Sequence, residues 1–121
     1  MNAPVVEPII ENELWISFAA MLRAYGVIAG LNSGEVPQID ATDSSVILTV
    51  GRARLDVSCD LQSGMGNWLL SREQSTSQGR FVLLPEGRIA VDGNTLELDL
   101  AAIDFAAALV SAAERSTGEA L

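Results

Sequence analysis

Hydrophobic positions recur at helical spacing near each end of the chain. In the first segment, apolar residues fall every three or four positions, at Leu14, Phe18, Met21, Leu22 and Tyr25. This spacing is typical of an amphipathic helix, and Gly26 followed by Val27 has the pattern of a left-handed helix cap. The sequence therefore predicts a first helix over residues 11–25, with Trp15, Phe18 and Leu22 buried.

A second, alanine-rich helix is predicted over residues 100–116. Asp99 stands just before its apolar repeat, where a carboxylate can accept hydrogen bonds from free N–H groups. Arg115 lies in the last predicted turn and Gly118 just beyond it, which is the usual pattern of a helix end.

Between the helices, residues 45–98 have the pattern of antiparallel strands. If Gly51 and Arg52 form a two-residue turn, three apolar pairs share one face of the hairpin: Val50 with Ala53, Leu48 with Leu55, and Val46 with Val57. Further strands are predicted over 67–72, 80–84, 88–91 and 95–98, with a short edge strand near 36–41. The polar segment 73–79 is interpreted as a mobile loop, and Asp92-Gly93 as a tight turn.

Residues 1–10 are predicted to form an extended arm, because Pro4 and Pro8 disfavour a helix before residue 8. The whole chain of 121 residues has the length of one domain. Its expected fold is α+β: a two-layer sandwich with an antiparallel sheet of four to five meander strands. The N-terminal and C-terminal helices are expected to pack on one face of the sheet.

Charge narrows the range of partners. Seven basic residues stand against 16 acidic ones, for a net charge of −9. All seven are arginines scattered singly, so the chain lacks the basic stripe that nucleic acid binding requires. Anionic membranes are poor partners for the same reason. The first residues include no basic side chain, which does not fit a signal peptide, and a cytoplasmic location is expected.

The residue types present restrict the chemistry. The chain has neither His nor Lys, so catalytic dyads with imidazole, Schiff bases and phosphate-binding lysines are excluded. Cys59 is the single cysteine and is interpreted as a small core residue. The oxygen-rich run Asp92, Asn94, Glu97 and Asp99 does not match the twelve-residue calcium-binding loop. We therefore predict no catalytic, cofactor-binding or metal-binding residues.

Apolar residues on both faces of the predicted sheet favour a protein-interaction module that is not an enzyme and forms a homodimer or binds another protein. The apolar residues on the second sheet face would then have to be buried against another surface. The candidate interaction surface comprises the arm residues and four strand residues: Val5, Val6, Ile9, Ile10, Ile47, Leu69, Val82 and Leu84.

Two other hypotheses remain open from the sequence. The protein could carry or sense a small apolar ligand in a cavity between helices and sheet, lined by Trp15, Phe18, Phe81 and Phe105. A third, minor hypothesis is an enzyme that uses two converging carboxylates, which would show raised pKa values in a cleft.

Overall fold

The computed structural model describes the backbone of residues 3–119 and the side chains of residues 12–114. Two helices, α1 and α2, flank seven strands, and a short 3-10 turn at Pro85–Gly87 lies between the fifth and sixth strands. The helices are α1 (Ala3–Asn32) and α2 (Leu98–Glu119). The strands are β1 (Gln38–Ala41), β2 (Ser45–Val50), β3 (Ala53–Cys59), β4 (Met65–Arg72), β5 (Ser75–Leu84), β6 (Arg88–Val91) and β7 (Asn94–Glu97).

The seven strands form one antiparallel sheet in which their spatial order follows their order in the sequence. This confirms an α+β fold with an antiparallel sheet. The predicted number of four to five strands is wrong, because the short strands β1, β6 and β7 all join the ladder. The sequence predicts strands near 36–41, 88–91 and 95–98, so the expected total was too low although the positions of these three short strands were foreseen.

The hairpin of β2 and β3 has the register that the apolar alternation predicts. Val46 pairs with Val57, Leu48 with Leu55, and Val50 with Ala53. All six side chains are buried. Because side chains alternate along a strand, this register places Ile47 and Asp56 on the opposite face, which we call the outer face of the sheet.

Strand β5 corrects the interpretation of residues 73–79 as a mobile loop. Only Glu73 and Gln74 form the turn, with Glu73 at a positive φ of 53°. Ser75 to Gly79 belong to β5 and pair with β4, from Arg72 to Trp68. This part of β5 is polar and exposed because β6 pairs only with Phe81–Leu84, which leaves residues 75–78 at an open edge of the sheet.

Helix α1 begins much earlier than predicted. Its backbone is helical from Ala3, so the extended arm predicted for residues 1–10 is wrong for residues 3–10; residues 1 and 2 lie outside the described chain. Pro4 falls in the first turn, where backbone N–H groups have no partner within the helix. Pro8 follows one turn later and removes a single backbone hydrogen bond near the helix start.

Helix α1 also continues past Gly26, where a cap was predicted, and ends at Asn32. Gly26 has a packing role instead, because a Cβ at this position would lie 2.8 Å from Leu48 Cδ1. Gly30 similarly lets Pro37 approach, at 2.5 Å from the position of an added Cβ. The chain leaves the helix at Gly34, whose φ of 89° suits glycine.

Helix α2 begins two residues before the predicted start and ends three residues after the predicted end. Asp99 lies inside the first turn rather than before it, and its Oδ1 accepts a hydrogen bond of 2.8 Å from the Leu100 N–H. Asp99 therefore still satisfies one free donor at the helix start.

The core lies between the helices and one face of the sheet. Buried residues of α1, α2 and strands β2, β3, β5 and β6 form one continuous hydrophobic cluster. Phe18 stands at its centre and meets Trp15, Phe81 and Phe105 edge to face, with ring centroids 6.3, 5.8 and 6.3 Å apart. Such aromatic contacts stabilise the fold beyond simple burial.

Candidate functional site

Helix α1 carries three large aliphatic residues on the side that faces away from the core. Ile16 is 56% exposed, Ile28 55% and Leu31 57%. Between them lie the exposed residues Ala20 and Ala24. We call these five residues, Ile16, Ala20, Ala24, Ile28 and Leu31, the α1 stripe. The polar residues Ser17 and Arg23 are also exposed on this side, but large aliphatic side chains grouped on one exposed face often mark an interaction site, so the α1 stripe needs an explanation.

The segment Asn12–Asn32 is long and apolar enough, by length and composition, to cross a membrane. A third of it is buried within the domain. Trp15, Phe18 and Leu22 are almost completely buried among sheet and helix side chains. The inner side of α1 is thus part of the core of this fold, and its outer side is exposed.

The outer face of the sheet holds the predicted interaction residues Ile47, Leu69, Val82 and Leu84, as the register shows. Leu69 is exposed, and the other three are partly buried. Asp56 separates Ile47 from Leu69 in the cross-strand row, so the apolar residues do not form a continuous patch.

The predicted interaction residues Val5, Val6, Ile9 and Ile10 are in the helical backbone of α1, and their side chains lie outside the described residues. The α1 stripe was missed because the helix was predicted to end at residue 25. Its signal in the sequence is the apolar spacing of Ile16, Ala20, Ala24 and Ile28 at every fourth position.

A groove of about 680 Å³ lies between α2 and the C-terminal half of the sheet. Trp68 and Phe105 form its aromatic wall, with ring centroids 5.7 Å apart and an interplanar angle of 62°. Leu70, Val91 and Leu96 add aliphatic surface. We call this site the α2 groove.

Two carboxylates border the α2 groove, those of Asp92 and Asp104, and none of the described residues that line it is basic. Asp92 is held in place from two sides. Its Oδ2 accepts a hydrogen bond of 3.1 Å from the Trp68 indole N–H, and its Oδ1 accepts one of 3.0 Å from the Arg80 backbone N–H. Asp104 is exposed on α2 and has no hydrogen bond or ion pair with any described residue.

Local turn geometry explains how Asp92 reaches Trp68. Asp92 and Gly93 form the turn from β6 to β7 with positive φ values of 51° and 90°. This backbone leaves the Asp92 carboxylate over the β5 backbone at Gly79, where there is no side chain to block it. The sequence predicted the Asp92-Gly93 turn, but it gave no sign that the aspartate contacts an indole 24 residues away.

The four aromatic residues predicted to line a ligand cavity pack against one another in the core. Trp15, Phe18 and Phe81 are at most 1% exposed. Phe105 is 8% exposed and is the member of this set that borders the α2 groove. The tryptophan that the prediction left out, Trp68, forms the other half of the groove's aromatic wall.

Cys59 is buried at the end of β3, as predicted for a small core residue. Its thiol lies 3.6 Å from the Asp60 carbonyl oxygen. Within the described part of the chain, no three Cys, Asp or Glu side chains are grouped closely enough to hold a metal ion.

Comparison with known proteins found no protein-family model, no curated protein and no solved structure that matches this chain.

Proposed function

We propose that this protein is a non-enzymatic interaction module that forms a homodimer through the α1 stripe. The observation that carries the proposal is the position of Ile16, Ile28 and Leu31, three large aliphatic side chains more than half exposed on one side of α1. Burying them against a second copy removes this apolar surface from water. The stripe replaces the outer sheet face as the proposed contact surface, because Asp56 interrupts the apolar residues there.

The order of residues in the stripe supports pairing between identical copies. Ile16, Ala20, Ala24 and Ile28 are each four positions apart, and this order reads the same in both directions about residue 22. In a two-fold antiparallel pair, Ile16 of one copy faces Ile28 of the other, and Ala20 faces Ala24. A two-fold interface requires this kind of self-complementary surface.

The spacing also fits helix packing geometry. Residues four apart form a ridge, and two such ridges interdigitate when the helices cross at roughly 50°. The small side chains of Ala20 and Ala24 at the centre of the ridge let the two helix axes approach closely. Ile16 and Ile28 then close the contact on either side.

Charge favours α1 as the meeting surface of two acidic chains. Each copy has a net charge of −9, which opposes association through most of its surface. Residues 14–32 contain no Asp or Glu, and their single charged residue is Arg23. Contact through α1 therefore keeps the acidic residues of the two copies away from the interface centre.

A second copy explains the stripe better than a lipid surface does. Helices that lie on membranes combine an apolar face with several flanking basic residues. Between residues 12 and 32, α1 has a single basic residue, Arg23. The description as non-enzymatic rests on the lack of His and Lys in the sequence.

Sedimentation equilibrium of the full chain tests the proposal. The wild type is expected to be a dimer, and Ala24→Glu is expected to be monomeric with an unchanged circular dichroism spectrum. Met65→Glu is the matched control, because Met65 is a comparably exposed apolar residue on the outer sheet face. This variant should remain dimeric.

A wild type that stays monomeric at high protein concentration would overturn the proposal, as would dissociation by Met65→Glu but not by Ala24→Glu. Flotation with uncharged phosphatidylcholine vesicles distinguishes the lipid alternative. Co-flotation of monomeric wild type that Ala24→Glu abolishes would assign the stripe to a membrane and contradict a homodimer.

A further inference from the structure

We infer that the α2 groove binds a small organic cation that carries an aromatic or branched aliphatic group. This goes beyond the proposed dimer, because no residue of α1 lines the groove. The groove volume of about 680 Å³ lies within the range of roughly 300–1,000 Å³ that is typical of small-molecule sites.

The wall of the groove supplies the apolar part of the recognition. Trp68 is only partly buried although its ring contacts Phe105, so indole surface remains available to a ligand. Leu70, Val91 and Leu96 continue this wall along β4, β6 and β7. Ala101 and Ala108 on α2 have short side chains, which keep the space in front of the aromatic rings open.

The negative charge of the groove favours a positively charged ligand. Asp92 and Asp104 border it, and no basic residue among those described neutralises it from inside the lining. The net charge of −9 adds a long-range field that attracts cations and repels anions. A cation placed near Trp68 would also gain from the negative face of the indole ring.

The two aspartates differ in the way they would act. Asp92 is fixed by the Trp68 and Arg80 N–H groups, and its two oxygens retain further acceptor capacity because an ionised carboxylate can accept about four hydrogen bonds. Asp104 has no described partner, so its carboxylate is free to meet an ammonium or guanidinium group at the groove opening. The groove thus combines one pre-positioned acceptor and one adaptable acceptor beside an aromatic wall.

A matched series of three compounds tests the charge requirement: 2-phenylethylamine, 2-phenylethanol and phenylacetate. They share a phenyl ring and a two-carbon chain, and at neutral pH they are cationic, neutral and anionic. Trp68 fluorescence, excited where the phenyl ring does not absorb, reports binding, and Trp68→Phe confirms which tryptophan responds. The amine is expected to bind at least about fivefold more tightly than the alcohol, and phenylacetate more weakly still.

Site-directed variants place the binding in the groove. Asp104→Asn is expected to weaken 2-phenylethylamine binding about three- to fivefold, since it removes one charged acceptor. Glu114→Gln is the matched control, because it makes the same change on the same helix outside the groove and should leave the affinity unchanged. Ala108→Phe should abolish the fluorescence response by filling the groove without adding a tryptophan.

Several results would overturn the inference. One is equal binding of the three compounds, and another is no response to the amine at its highest soluble concentration. A third is an equal loss of affinity in Asp104→Asn and Glu114→Gln, which would show attraction by the overall charge rather than by this site. Because the stripe variant Ala24→Glu leaves the groove intact, the same titration on that variant separates failure of the ligand site from failure of the dimer.

Discussion

The indole N–H of Trp68 reaches the carboxylate of Asp92 across the bare backbone of Gly79. This hydrogen bond ties β4 to the turn between β6 and β7, which are not neighbours of β4 in the sheet. A Cβ at residue 79 would lie 2.3 Å from Asp92 Oδ1 and 2.5 Å from Trp68 Nε1. Glycine at this position is therefore a requirement of the contact that shapes the α2 groove.

Gly79→Ala is expected to destabilise the protein by about 1–3 kcal/mol, because the added methyl group must displace Trp68 or Asp92. Urea denaturation followed by circular dichroism measures the change. Ser77→Ala on the same strand is the control, since Ser77 is exposed and its substitution should stay within about 0.5 kcal/mol. Equal stability of Gly79→Ala and wild type would show that the contact contributes little.

Phe18→Ala is expected to reduce the free energy of unfolding by about 3–5 kcal/mol, the usual range for a buried aromatic side chain. Phe18 is fully buried and joins α1 to both the sheet and α2 through Phe81 and Phe105. Ser17→Ala, its exposed neighbour, is the control and should have almost no effect on monomer stability. A loss below about 1 kcal/mol for Phe18→Ala would contradict the central position of this ring.

Gly26→Ala tests whether Gly26 serves packing rather than helix termination. An added Cβ would lie 2.8 Å from Leu48 Cδ1, which is fully buried, so a net loss of about 1–2 kcal/mol is expected despite the better helix propensity of alanine. In the Leu48→Ala background the same substitution should cost less, because the clashing atoms are gone. Additive effects of the two substitutions in thermal denaturation would argue that Gly26 and Leu48 do not contact each other.

The same glycine shows where sequence reasoning succeeds and where it fails. The apolar alternation of Val46, Leu48 and Val50 against Ala53, Leu55 and Val57 was sufficient to place the central hairpin in its correct register. That pattern is informative because one face of these strands is buried and the other is not. Gly26 was instead interpreted as a cap, because a glycine that allows close packing and a glycine that ends a helix look alike in a sequence.

The polar side chains at the start of β5 are the reason that residues 73–79 were predicted to form a mobile loop. Ser75, Thr76, Ser77 and Gln78 have loop composition, yet they pair with β4 along an exposed edge of the sheet. Backbone hydrogen bonds in a ladder do not require apolar side chains. The α2 groove could not be foreseen from the sequence, because Trp68 of β4 and Phe105 of α2 are 37 positions apart in the sequence and meet only in the folded structure.

Cys59 should react with thiol reagents only when the protein opens, because its side chain is buried at the end of β3. In native buffer the modification by Ellman's reagent is expected to be at least about a hundredfold slower than in urea, since it follows the small open population. Gln62→Cys in a Cys59→Ala background is the control, because residue 62 is exposed nearby and should react fast in both conditions. Fast native modification of Cys59 would indicate local opening at this end of β3.

Association of the two copies should strengthen when salt is added. Each copy carries −9, whereas the α1 stripe contains no charged residue, so salt screens repulsion between the domains without weakening the apolar contact. Between low and moderate NaCl concentration the dimer dissociation constant, measured by sedimentation equilibrium, is expected to fall about two- to fivefold. Glu13→Gln removes the acidic residue closest to Ile16 along the sequence, so it should tighten the dimer at low salt and reduce the salt effect. Weaker association at higher salt would instead mean that ion pairs hold the copies together, and that the α1 stripe is not the contact.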